Sequence, residues 1–463
     1  MIMKRFHIIF SLLVILAVAG CKKDEIVDFK FNKDLDYTPT DFDKWLTENF
    51  LDPANIEVVY RYDRYKDDVY MNLTPPTEAK AKEQMIQVLD LYLMPYQNAA
   101  GKIFISKYAP KQWVLSGSWH YDPNDGSRIL GISTGGRNIT LYEVNTINST
   151  DIDGLKARLK TIHHEFSHTL TQVQLFPEEF QNISLTDYVS DWRSTFYHPD
   201  KENDSLGFIS RYSRSSFIED FAETAGFLIS HGQLWYDNKA KNCPKNGYDK
   251  LKRKEAAVVN FWRDKFGVDF RKLQREVAYS LYNNYNDKSS QSLEYWLLNQ
   301  GLFVKDLSLN TAAYSSDIRT RVEAFKAAVL AYSTVSKYTV QDLVFMFNPT
   351  GNSLIVRVPY KSGTAPVSNA DYNFTYSLDP VTHKITFTKA AQGTGATYTN
   401  ANMFMTSFMA NISNYLTSST FIMDWSIGKG LTRRDEGYFT SGGIYRDGEL
   451  NSYINFPLVK ITK

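Results

Sequence analysis

His164-Glu165-Phe166-Ser167-His168 constrains this chain more than any other stretch. Histidines at i and i+4 lie on one edge of a helix, one turn apart, close enough to share a metal ion. Glu165 between them then reaches a metal-bound water and can take its proton. The arrangement works only if the segment is helical, and the flanks agree. Leu155, Leu159, Ile162, Phe166, Leu170 and Val173 form one apolar stripe at helical period, with His164 and His168 off it. A histidine that merely packs in a core belongs on the stripe. Asp153 is the expected N-cap.

A catalytic zinc takes three protein ligands and keeps one position open. Downstream, Glu219 and Glu223 form a second i, i+4 pair on one helix edge, with Phe217, Phe221 and Leu228 on another. Zinc takes Glu219 in this reading. Glu223, one turn on, accepts the second ring N–H of a ligating histidine and fixes its tautomer. Two readings compete. Ser216-x-x-Glu219 is a capping box, which would spend Glu219 on its own helix; alternatively Asp220 is the ligand.

Two His on one helix, a Glu on a second and an acid four positions later resemble the gluzincin pattern of zinc peptidases. Glu219-Asp220-Phe221-Ala222-Glu223 is similar to its lethal-factor form. More closely, the chain resembles the lipoprotein family of substrate-import-associated zinc metallohydrolases, also described as zinc-binding metallopeptidases. The resemblance covers roughly residues 30–285. It is carried by residues 55–62, Asn72-Leu73-Thr74-Pro75-Pro76, Leu141-Tyr142-Glu143-Val144-Asn145, residues 163–168, residues 207–212 and residues 219–223. It implies a zincin-like domain with Zn2+ on His164, His168 and Glu219, and Glu165 as general base toward a peptide or protein substrate. In the lethal-factor pattern a Tyr seven residues before the Glu ligand donates to the oxyanion, which implies that part for Tyr212. In such peptidases the sheet's edge strand holds extended substrate by strand addition. Ile139-Thr140-Leu141-Tyr142 either plays that part or is an interior strand. His198 and His231 are lone candidates for an oxyanion stabiliser, against the commoner structural role.

The N-terminus points to export. Lys4 and Arg5 precede an apolar run at residues 8–19, of signal-peptide length and short for a bilayer span. Val18-Ala19-Gly20-Cys21 resembles a bacterial lipobox, in which Cys21 carries lipid. Lys22-Lys23-Asp24-Glu25 resembles a surface-export signal, which implies an outer-membrane lipoprotein, cell-surface exposed. Cys243 is then left without a disulfide partner and is expected in a loop. Lys plus Arg is 52 against 51 for Asp plus Glu, without the basic surplus of a nucleic-acid protein.

At 463 residues, 43% of them hydrophobic, the chain is long enough for two or three domains with a large core. The expected class is α+β, a twisted sheet plus active-site helices, followed by a mostly β C-terminal domain. The divisions are 1–21 (signal and lipobox), 22–39 (tether), 40–285 (catalytic domain), 286–337 (helical linker) and 338–463 (β-rich domain). Residues 40–52 read as a helix opened by Thr40-x-x-Asp43, and residues 77–97 as a helix after Pro75-Pro76. Residues 55–62, 102–106, 112–121, 128–133 and 137–145 read as strands, and 250–265 and 270–285 as helices. Beyond residue 338, runs such as 344–347 with 353–360 and 373–378 with 384–389 flank turn signals and predict hairpins. Residues 401–415 read as a helix. Trp425, Tyr438 and Tyr445 are expected in the core. A rival to the peptidase is an accessory lipoprotein of a TonB-dependent importer, with a non-catalytic zinc. The intact Glu165 argues against it, because a structural site needs no base.

Overall fold

The computed structural model describes residues 38–66, 71–123, 126–296, 307–309, 315–348, 351–379 and 381–457. The expected signal, Cys21 and nearly all of the tether lie outside them. The chain divides into two compact units, residues 1–45 and 46–463. In the first, the Thr40 amide donates to Asp43 Oδ2 (2.7 Å) and the Asp43 amide to Thr40 Oγ1 (3.3 Å). This reciprocal cap opens a helix at Asp41. Among the described residues, no helix is long and apolar enough to cross a membrane.

The second unit is α+β. Its first sheet has four strands, ordered Glu57–Val59, Gln112–Leu115, Asn138–Leu141, Gly131–Thr134. The first two junctions are parallel and the last antiparallel. Asn138–Leu141 is therefore paired on both sides, so of the two readings of Ile139 to Tyr142 the interior strand is the one that forms, and the edge beside it is Gly131–Thr134. A chain reversal at Gly135-Gly136, both with positive φ, brings that strand back along its partner.

The metal helix, Ile152–Val173, packs beside this sheet. Its cap is Asp151, whose Oδ1 accepts from the Gly154 amide at 3.1 Å. Asp153, the expected cap, sits in the first turn, because Asp151 is the last residue with extended backbone. Leu155, Leu159, Ile162, Phe166 and Leu170 are buried, whereas Val173 at the last helical position is exposed. Phe166 wedges edge-on between Tyr92 (5.2 Å) and Tyr96 (5.1 Å), anchoring the helix by its apolar stripe. Both tyrosines come from the helical run that starts at Glu78–Val88 under an N-cap by Thr77. Residues 102–106, expected as a strand, lie in the helix Lys102–Tyr108. A short apolar run suits either period, and the Phe104–Tyr108 ring contact at i, i+4 (5.3 Å) belongs to the helical one.

The ligand helix, Phe217–Ser230, crosses the metal helix, and Lys245–Phe266 and Phe270–Tyr285 pack behind it. Cys243 lies, as expected, in the connection between the helices Gly232–Asn242 and Lys245–Phe266, where it is buried with its Sγ 3.3 Å from Lys239 O. Beyond lies a nine-stranded sheet, antiparallel at every described junction. The two predicted hairpins form, Leu343–Asn348 with Ser353–Ser362 and Ser368–Leu378 with Lys384–Lys389. Alternating residues Leu354, Val356, Val358 and Tyr360 face a core closed by the helices Ser316–Ala331 and Ala396–Phe408. Ile318, Val322, Phe325 and Val329 of the first of these lie in that core, although the segment reads as linker in the sequence. Trp425 and Tyr438 are buried there too.

Candidate metal centre

His164 and His168 project from the metal helix with their Nε2 atoms 3.0 Å apart. The ligand helix brings Glu219 Oε2 to 3.1 Å from the first and 3.3 Å from the second. A tetrahedral zinc with bonds of about 2.0 Å sets its ligands about 3.3 Å apart, so this triangle fits one ion. Glu219 Oε2 is buried and has no hydrogen-bond partner, as a lone pair directed at a cation should be. Among the described residues, these three are the group whose ligand atoms approach one another within 4.8 Å.

The competing readings resolve in space. Ser216 Oγ does cap the ligand helix, accepting from the Glu219 amide at 3.2 Å, but the Glu219 side chain turns to the imidazoles. Asp220 is committed elsewhere. It is fully buried, 2.6 Å from Lys254 Nζ, and accepts from Tyr188 OH at 3.0 Å. Burial pushes the Asp220 carboxyl up and the Lys254 ammonium down, while each draws the other back.

Burial by itself would depress His164, yet Glu219 and Glu223 outweigh it and raise the imidazole to about 9. Glu223 Oε1 lies 2.9 Å from His164 Nδ1, close enough for strong attraction although off hydrogen-bond geometry. Glu223 is itself almost completely buried. Burial works to raise it, but Lys160 and then His164 prevail and hold it at about 2. For Glu219 the two histidines likewise overcome burial and keep the carboxylate well below its usual range. The metal-free site is thus a set of carboxylates that favours positive charge.

Glu165 sits on the helix edge that faces the sheet. Its Oε2 accepts from the Ser133 amide of the edge strand at 2.9 Å. Burial pushes its pKa up against the pull of both histidines. Gly131 allows the close approach: a Cβ there would meet Thr161 Cγ2 and Thr140 O at 3.1 Å. Because an antiparallel ladder alternates, Gly131 and Ser133 turn their backbone groups away from Asn138–Leu141.

Tyr212 lies on a short turn, Tyr212–Ser215, its ring stacked 5.9 Å from His164 and tilted against Trp192 at 5.0 Å. Burial first, then Glu219, raises its pKa, so the phenol keeps its proton. The two lone histidines are elsewhere. His198 pairs with Asp191 (2.8 Å) and lies 3.5 Å from Glu202. His231 follows Glu219 by more than three helical turns, about 18 Å along the axis, and packs against Phe227 and Trp235. His163 faces the core, where burial lowers it to about 3 and keeps it neutral.

Three contributors have little signal in the sequence: the Ser133 amide, Lys160 and Ser210. A backbone donor has no residue signature. Lys160 could be suspected from its i−4 spacing to His164, and Ser210 from its place in residues 207–212. The stretches 72–76 and 141–145 also find a reason. Asn145 Nδ2 donates to Pro75 O (3.4 Å) and its Oδ1 accepts from the Thr77 amide (2.8 Å), joining the two segments. Glu143, fully buried, is held by Arg128.

No curated protein matches the chain. A solved structure described as a "putative zinc-binding metallo-peptidase" from Bacteroides caccae is 26% identical, with a TM-score of 0.44. It covers 54% of this chain and 92% of its own. The family described as "putative zinc-binding metallo-peptidase" matches residues 35–271, just over half of the chain and inclusive of every residue of the metal centre. The chain belongs to that zinc-binding metallopeptidase family.

Proposed function

We propose that the protein is a zinc-dependent peptidase with Glu165 as its general base. The observation that carries this is the convergence of His164, His168 and Glu219 beside a carboxylate held by an edge-strand amide. Zinc, when bound by these three side chains, supplies a Lewis acid and makes water acidic enough to lose a proton near neutral pH. The Ser133 amide occupies Glu165 Oε2, so Oε1 takes the proton from the attacking water and returns it to the leaving amine. Tyr212, kept protonated, donates to the developing oxyanion. Gly131 and the Ser133 carbonyl offer outward hydrogen-bonding groups to an extended substrate, which aligns the scissile bond over Glu165. In the same reading Cys21 carries lipid and tethers the catalytic unit to the outer membrane, where it would supply an importer with cut peptides.

The test is a cleavage profile on a mixed peptide library with zinc-loaded protein, paired with metal analysis. Glu165→Gln should lower kcat about 10²–10⁴-fold with one zinc still bound. Full activity after removal of zinc would refute the assignment. Saturable peptide binding without cleavage would favour the importer-accessory role instead.

A further inference from the structure

Lys160 and Ser210 have no part in the chemistry above, yet both end on the carboxylate that faces a metal-ligating imidazole. Lys160 Nζ donates to Glu223 Oε1 at 2.8 Å, and Ser210 Oγ to Glu223 Oε2 at 2.7 Å. An ionised carboxylate only accepts, so the serine gives its proton to Glu223, while its oxygen accepts from the Ser213 amide at 3.1 Å. The two oxygens of one buried carboxylate are thus held by different segments, the metal helix and the chain that leads to the ligand helix. Lys160 stands one turn before His164, and its ammonium emerges on the same edge as that ring. Gly226 makes the reach possible. A Cβ there would lie 3.0 Å from Lys160 O and 3.3 and 3.4 Å from its Cγ and Cδ, so a larger residue would press against the lysine stem. Phe227 covers the ammonium, its ring centroid 5.7 Å from Nζ.

We infer that Lys160 and Ser210 clamp Glu223 so that it fixes His164 for zinc, which makes Lys160 a positioning residue of the metal centre. The inference rests on the zinc site proposed above. A carboxylate held at both oxygens does not swing, so Oε1 stays at His164 Nδ1 and limits rotation of the ring. The ammonium also supplies the counter-charge that buried Glu223 needs.

The experiment measures zinc affinity of the full chain by competition with a chelating indicator, with no substrate present. Lys160→Met should weaken zinc binding about 10–100-fold and Lys160→Arg should recover most of it. Ser210→Ala should give a smaller loss. The double variant should lose less than the two losses combined, because both act on one carboxylate. Unchanged affinity in Lys160→Met, or a loss that Lys160→Arg does not recover, overturns the clamp. Melting of the metal-free variants shows whether each is folded. If Lys160→Met melts early, Ser210→Ala decides alone, and wild-type affinity there overturns the inference. A protein that binds zinc through this clamp but cuts no peptide would sink the peptidase reading and leave the clamp standing.

Discussion

The half of the 46–463 unit around the metal centre and the half built on the nine-stranded sheet bury different things. Around the metal, His163, His164, Glu143, Asp220, Glu223, Lys254 and Glu255 are all buried. In the sheet the core is aliphatic and aromatic, with Tyr372 and Phe408 stacked at 3.5 Å. Of its buried acids, Asp371 is met from the rim by Arg357 at 2.8 Å and Glu294 pairs with His383. Burying charge costs free energy unless every group is paired, so a chain does it where position matters more than stability. An apolar core stabilises more simply, by area removed from water. The contrast separates a half organised to hold an ion from a half organised to hold itself together. The joint between them is polar: Arg433 stacks 4.0 Å over Tyr282, and Arg434 lies 4.1 Å over Tyr279 and 3.4 Å from Glu276.

The strongest way to break this comparison is to unpair the deepest ion. Lys254→Met leaves Asp220 buried without its cation, beside the ligand Glu219. It should cost about 3–5 kcal/mol in urea unfolding and weaken zinc binding as well. Phe408→Ala should cost a similar amount, about 3–5 kcal/mol by cavity formation, with zinc affinity unchanged. If that variant lost zinc, the division of labour between the halves would be wrong.

His231 gives a smaller, pH-dependent effect. Burial first, and Lys156 next, lower its pKa to about 3 in the folded chain, against about 6.5 when unfolded. The unfolded chain therefore takes the proton first. Stability is fully present above about pH 6.5 and is lost as the pH falls toward 3. At pH 5 the loss is about 2 kcal/mol. Melting temperatures at pH 7.5 and 5 should converge between wild type and His231→Gln as the pH drops; a constant gap would show that His231 titrates normally. The smallest effect is at the joint. Arg434→Ala should cost about 0.5–1 kcal/mol, and a cost of several would mean that the halves are not energetically distinct.

Much of this was legible in the order of residues, because helical and strand periods are local. The i, i+4 histidines, their apolar stripe and the alternating hairpin strands follow from side-chain spacing alone. So did the nomination of Glu219 and Glu223. Where two local rules gave the same pattern, the sequence misled: Asp153 for Asp151 as cap, and a strand for residues 102–106, which lie in a helix. What required the fold was every meeting of distant segments. Packing chose Glu219 over Asp220 by giving the latter Lys254. Strand order made Gly131–Thr134 the edge and put the Ser133 amide on Glu165. A glycine on the ligand helix let Lys160 reach Glu223. Periodicity says which face a residue occupies; only the packed chain says what that face meets.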